Sequence, residues 1–351
     1  MRLLSNDRPG HPIVAALLVI LLLTLAFAPF LFPGTRALAA SGRICVFILL
    51  AASYDILLGY TGIVSFAHTM FFAIGAYAVA IPLARGWVGW DAILAGTLLA
   101  AALAALLAAA ISLLALRVQR IFFAMITLAV ASFAQIIATE WRSLTGGEDG
   151  LSFTLPTALT PAFRIHPFGL PINGRILTYY LVFAATLLLL LFMLRLVNSP
   201  FGRVLQAIRE NPFRAEALGY RTILHRTVAS ALAAAIAAIA GVLMALLLRY
   251  TGPAATLSFD IMVDLLLMVV IGGMGTFYGP ALGAAIVTLA QYYLQPGLAA
   301  LAAATGFPLF NPERWLLWLG LLFILFVYFL PSGIVGTLRQ RQLHPAPADR
   351  T

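Results

Sequence analysis

The chain has 351 residues, of which 63% are apolar and 9% charged, with a formal net charge of +9. A soluble domain carries roughly 25% charged residues, so this composition excludes one. All 21 basic residues are Arg, which leaves no Lys for a phosphate-binding Gly-Lys-Ser/Thr loop or for a Schiff base.

Apolar runs separated by breakers predict an all-α, polytopic transmembrane bundle. Ten spans are expected, at about 13–32, 38–58, 63–83, 91–116, 121–140, 176–197, 227–248, 258–273, 277–297 and 314–331. The first is read as a membrane helix and not as a cleaved leader, despite Ala37-Leu-Ala39, because its apolar core exceeds that of a signal peptide. The single cysteine, Cys45, lies in an apolar run, so it forms no intramolecular disulfide and is read as packing.

Placing the N-terminus in the cytosol puts thirteen arginines inside and eight outside, the bias expected when positive charge is retained. The inner set is Arg2, Arg8, Arg117, Arg120, Arg195, Arg203, Arg209, Arg214, Arg221, Arg226, Arg339, Arg341 and Arg350. Both termini are then cytosolic, and the scattered arginines form no nucleic-acid stripe. The expected organisation is a cytosolic N-terminus over 1–12, a permease domain over 13–335 and a cytosolic tail over 336–351.

Residues 57–77 combine Gly59, Thr61, Gly62, Ser65, His68 and Gly75, unlike a plain lipid-facing helix. One reading is a backbone break within the membrane that aims half-helix amides at a substrate carboxylate; the other is close packing through small residues. Asp55, one turn before Gly59, suits a cap or hydrogen bond to that break. His68 is either a titrating group or a satisfied packing partner.

The loop at 141–175 is placed outside, and its Thr145–Gly150 segment lacks calcium-loop spacing and reads as a tight turn. The loop at 198–226 is placed inside. There Val204, Leu205 and Ile208 share a helical face, Pro212 interrupts, and a second short helix ends at Gly219. Two short amphipathic helices suit a docking element; the plainer alternative is a solvated basic loop. Asp260 and Asp264 begin the eighth span, where carboxylates suit a helix N-terminus.

Gly272, Gly273, Gly275, Gly279 and Gly283, with Pro280, mark a second interruption, read as a broken or re-entrant segment. The two interruptions together look like a weak internal repeat of the kind that marks a transport path. No zinc-protease helix, nucleophile elbow or thiolate metal site occurs, which favours a conduit over an enzyme.

Four ordered blocks carry a resemblance. They are Leu58-Gly-Tyr-Thr-Gly with Ser65, His68 and Gly75-Ala-Tyr; Phe122-Phe-Ala-Met-Ile-Thr with Thr145-Gly-Gly-Glu-Asp-Gly-Leu; Ser199-Pro-Phe-Gly-Arg with Ala207-Ile-Arg-Glu-Asn and Ala215-Glu-Ala-Leu-Gly; and Gly272-Gly-Met-Gly-Thr with Gly279-Pro. Over about residues 40–335 the chain resembles LivM-type permease subunits of bacterial branched-chain amino acid ABC importers. The resemblance implies a multi-pass inner-membrane subunit without its own ATPase site. It also implies a second permease, two cytosolic ATPase subunits that bind ATP and Mg, and a periplasmic binding protein that delivers the small-molecule substrate.

On that resemblance, Gly59, Thr61, Gly62, Ser65, His68, Gly75, Gly272, Gly273 and Gly275 are expected along the substrate path. Arg209, Glu210, Asn211, Glu216, Ala217 and Gly219 are expected to couple to the ATPase. The sequence departs from the family pattern with Asp55 where Asn is common, Ile63 where Gln is common, and Ala67 and Ala73 where Gly is common. Permeases for urea, amides or other amino acids are close relatives, and a stand-alone carrier using Asp55 or His68 for proton coupling is the competing class.

Overall fold

The computed structural model describes residues 12–32, 34–115, 120–161, 163–165, 172–305, 311–330 and 332–343. The expected cytosolic N-terminus, Arg117 and the end of the tail, with Arg350, lie outside the described residues. The described chain is an all-helical bundle; seven helical segments are long and apolar enough to cross a membrane, and Pro12–Ala26 and His68–Ala84 are shorter apolar helices. The chain is thus a multi-pass membrane protein.

Helix α1 (Pro12–Ala26) leads into a short α2 (Ala28–Leu31). Pro29 has no N–H to offer the Leu25 carbonyl, four residues back. Tyr179 fills the gap, its hydroxyl donating to Leu25 O at 2.5 Å, while Tyr180 donates to Ala26 O at 3.1 Å. The kink is therefore pinned by a later helix.

Helix α3 (Thr35–Asp55) continues as a π-helical turn, Ile56–Thr61, and its second half is almost wholly buried. Gly62 ends it at φ 70°, a left-handed conformation that suits Gly. Helix α4 (His68–Ala84) then runs antiparallel to α3, followed by α5 (Trp90–Ala115) and α6 (Arg120–Glu140). The third span thus begins five residues later than expected, because 63–67 forms the link after the left-handed Gly62.

The 141–173 segment holds α7 (Arg142–Thr145) and strands β1 (Leu151–Ser152), β2 (Arg164–Ile165) and β3 (Ile172–Asn173). The Thr145 hydroxyl donates to the Ala138 and Trp141 carbonyls, and Gly146, Gly147 and Gly150 all take positive φ. This is a tight turn, as its glycines suggested.

Helix α8 (Gly174–Val197) leads to the short α9 (Pro200–Glu210) and α10 (Pro212–Ala217), then to the long α11 (Thr222–Leu248). Strand β4 (Tyr250–Thr251) pairs antiparallel with β1 and ties the segment after α11 to the 141–173 loop. Helix α12 (Pro253–Thr256) precedes α13 (Phe259–Gly272); α14 (Gly279–Thr305), α15 (Trp315–Phe329) and α16 (Gly333–Leu343) complete the bundle. Spans eight and nine are consecutive antiparallel helices, joined by a turn over 273–278.

The core is built on close backbone approach. Ala100, Ala104 and Ala108 of α5 recur every fourth residue and are 0–1% exposed, the small-residue stripe that lets membrane helices touch. A Cβ at Gly75 of α4 would strike the Ala238 carbonyl of α11, and one at Gly241 of α11 would strike Phe72 O. Lipid supplies no hydrophobic drive between helices, so such contacts carry the association.

Candidate functional site

The two glycine interruptions, about 210 residues apart in sequence, meet at one end of the bundle. Asp55, 1% exposed at the end of α3, accepts a hydrogen bond from the Gly275 N–H at 2.9 Å. Gly275 sits at φ 75° in the turn between α13 and α14, and a Cβ at Gly59 would strike both Asp55 and the Gly275 backbone. Only glycine allows this approach.

The same junction receives Arg209 from α9, whose Nη1 donates to the Gly59 carbonyl. That carbonyl belongs to the π-helical turn, where the regular i to i−4 ladder is broken and an acceptor can be shared. The guanidinium also reaches the turn between α13 and α14, where a Cβ at Gly275 would strike Arg209 Nη1. A carboxylate, a cation and two helix breaks thus form one polar cluster.

The cluster lies at the end of α3, where the helix gives way through its π-helical turn to the link over 62–67. The 27 residues from Thr35 to Thr61 extend about 40 Å at 1.5 Å per residue, longer than a hydrocarbon core of about 30 Å. A link over 62–67 separates this long segment from α4, whose 17 residues extend about 26 Å at 1.5 Å per residue. Just before α4, Ser65 Oγ accepts from Ala67 N at 3.4 Å, while the first turn of α4 itself carries no side-chain cap.

The remaining expected path residues divide by role. Thr61 donates its hydroxyl to Leu57 O at 2.6 Å, satisfying the π-helical turn. His68 is fully buried, with Nε2 2.8 Å from Ser53 Oγ. Ser53 spends its own proton on Leu50 O at 2.7 Å, so Nε2 carries the hydrogen and Nδ1 is the buried acceptor without a partner. Gly75 serves the α4–α11 contact. Gly272 serves the α13–α14 contact, where a Cβ would strike Gly279 O, and Gly273 takes φ 116°.

Of the family departures, Ala67 sits at φ −83°, so its methyl adds no backbone strain. Ile63 packs on Phe123 of α6.

The 198–226 segment folds as its pattern suggests. Ser199 caps α9 with Pro200 at its first position, and Leu205 and Ile208 are buried. Asn211 ends α9 and caps α10, accepting from Arg214 N at 3.0 Å. Glu216 accepts from the Thr222 hydroxyl at 2.5 Å, stapling α10 to the start of α11, and Gly219 turns the chain at φ 90°. Arg209, Glu210, Asn211, Glu216, Ala217 and Gly219 all lie on the exposed side. Beside them Phe213 is 81% and Leu218 70% exposed. Sequence reading passed over this apolar pair, although Phe213 one residue after the helix-starting Pro212 was its signal.

Comparison with known proteins decides the family. Residues 37–329 match the family described as branched-chain amino acid transport system / permease component. The chain belongs to this permease family. It is 28% identical over 348 residues to the high-affinity branched-chain amino acid transport system permease protein LivM of Escherichia coli, covering 94% of this chain and 77% of that one. Its identity to the LivM protein of Salmonella typhimurium is 26% over 310 residues, covering 84% and 68% of the two chains. No solved structure matches. The permease is the membrane component of a transport system, and among its described residues no group of three or more His, Cys, Asp or Glu side chains is placed to hold a metal ion.

Proposed function

We propose that this permease translocates branched-chain amino acids as one membrane subunit of an ATP-driven importer in the bacterial inner membrane. In this reading a periplasmic binding protein delivers substrate, a second permease completes the path, and two cytosolic ATPase subunits bind ATP and Mg and perform hydrolysis. Both termini and the α9–α10 element face the cytosol, in keeping with the arginine bias of the loops.

One observation carries the proposal: Arg209 of the exposed α9–α10 element holds the Gly59 carbonyl at the junction of the two glycine breaks. The exposed Phe213 and Leu218 offer an apolar knob to an ATPase groove, and Glu210, Glu216, Asn211 and Arg209 offer a polar rim around it. Movement of α9 by the ATPase then pulls directly on the Gly59–Gly62 turn and on its Asp55 contact with Gly275. Gly59, Thr61, Gly62, Ser65 and His68 with Gly273 and Gly275 border the inner end of the path, while Gly75 and Gly272 set the helix spacing that keeps it narrow. Coupling requires ATP to act differently on two conformations of this junction.

The test is co-purification of the tagged chain from its native membrane, followed by an ATPase assay with leucine-loaded binding protein. Recovery of an ATPase and a second permease, with Phe213→Ser losing the ATPase but keeping the second permease, is the expected result. A chain that emerges alone and moves substrate with a proton gradient overturns it.

A further inference from the structure

A second polar site lies at the other end of α3. Arg36 and Arg43 stand seven residues apart on α3, Asp260 and Asp264 four apart on α13, and Gln291 and Gln295 four apart on α14. These spacings place each pair on one helical face. All six residues line a single open cleft of about 560 Å³. Three mainly apolar helices thus turn polar side chains toward the same space.

The charges are balanced, two guanidinium against two carboxylate groups, and they are incompletely satisfied. Arg43 lies about 12 Å along α3 from Thr35, inside the membrane-spanning segment. Its guanidinium covers the Phe47 ring at 5.2 Å, and its Nε is buried without a hydrogen-bond partner. Asp264 accepts from Gln291 Nε2 at 2.7 Å and shares the cleft wall with Arg43 and Asp260. Asp260 is tied back at the helix start, where its carboxylate accepts from the Ser258 hydroxyl at 3.2 Å and its N–H donates to the same oxygen at 3.1 Å. Ionisable groups within membrane spans are costly, and their retention points to function.

We infer that this cleft binds the zwitterionic head of an amino acid, the Arg43 side taking the α-carboxylate and the Asp264–Gln291 side the α-ammonium. A guanidinium fork matches a carboxylate, and a carboxylate with an amide oxygen matches an ammonium. The paired opposite charges accept a net-neutral ligand without leaving an unpaired charge in the membrane, and they select against an amine or an acid alone. Side-chain preference then rests elsewhere. The inference depends on the importer reading above and adds a substrate station at the end of α3 remote from the Gly59–Gly275 junction. One continuous helix connects station and junction.

The experiment uses the intact purified complex with Gln295→Cys on this chain, and follows maleimide labelling at position 295 by peptide mass. The probes are L-leucine, 4-methylpentanoate and 3-methylbutylamine, which share a side chain but differ in head group. Saturating L-leucine is expected to slow labelling about tenfold, the other two to leave it unchanged, and Arg43→Met or Asp264→Asn to abolish the protection. Equal protection by the acid or the amine overturns the zwitterion assignment. Absence of labelling in the complex shows the cleft covered by a partner subunit and overturns it too. ATP-driven leucine uptake by the unsubstituted complex, measured in parallel, separates the two readings. Intact uptake without protection removes the cleft and spares the importer, whereas no uptake of leucine removes the importer reading and the cleft assignment with it.

Discussion

Replacing Asp55 tests whether the junction is a structural clasp or a proton carrier. Asp55 supplies the acceptor for the Gly275 N–H at 2.9 Å, in a site where the carboxylate is 1% exposed. Asp55→Ala leaves that buried donor unpaired, which costs about 2 kcal/mol, or about a 30-fold change in an equilibrium at 1.36 kcal/mol per decade. Asp55→Asn keeps a carbonyl oxygen in the same place and loses only the charge assistance, about 1 kcal/mol or about fivefold. If the bond exists in one of the two transport conformations only, these amounts appear as shifts of the balance between them. ATP-dependent leucine uptake by the reconstituted complex should therefore fall steeply in Asp55→Ala and remain within about fivefold in Asp55→Asn. A neutral Asn carries no proton, so the competing carrier mechanism demands that Asp55→Asn lose transport entirely. That loss in a complex with normal thermal stability would refute the clasp, as would equal behaviour of the two variants.

Gly75→Val should destabilise the bundle by about 1–3 kcal/mol through overpacking, because the new side chain meets the Ala238 carbonyl; the thermal midpoint of the purified chain is the measurement, and an unchanged midpoint would contradict the packing role. Glu216→Lys should remove the acceptor for Thr222 and uncouple hydrolysis from uptake in a correctly inserted protein, while Glu216→Gln retains the bond and most of the coupling; ATPase and uptake measured side by side distinguish them. Gly62→Ala should weaken the end of the π-helical turn by about 1 kcal/mol, since φ 70° disfavours a side chain, and hydrogen exchange at 59–67 should rise accordingly.

The membrane class, the approximate spans and the amphipathic pair in 198–226 were legible in the sequence, because each depends on local pattern: apolar length, proline and glycine punctuation, and helical spacing. Leu205 and Ile208 are buried because their spacing places them on one face of α9, and Asn211 caps α10 because a short polar side chain before Pro212 suits that position. Gly59 and Gly275 were legible as interruptions for the same reason. Their pairing was not. The Asp55 to Gly275 bond spans 220 residues and the Arg209 to Gly59 bond 150, and neither spacing leaves a periodic trace.

Sequence spacing likewise could not decide between a glycine that opens a path and one that lets two backbones touch. Gly75 and Gly59 look alike in a string of letters; the first abuts the Ala238 carbonyl and the second borders the polar junction, and only the packing of α4 on α11 and of α3 on the 273–278 turn separates them. Hydrophobicity and local propensity alone dictate a multi-pass helical chain with two glycine interruptions and an amphipathic helix pair over 198–226. The tertiary structure decided that α9 grips the first interruption while Asp55 grips the second, because long-range contacts arise only when the whole bundle closes.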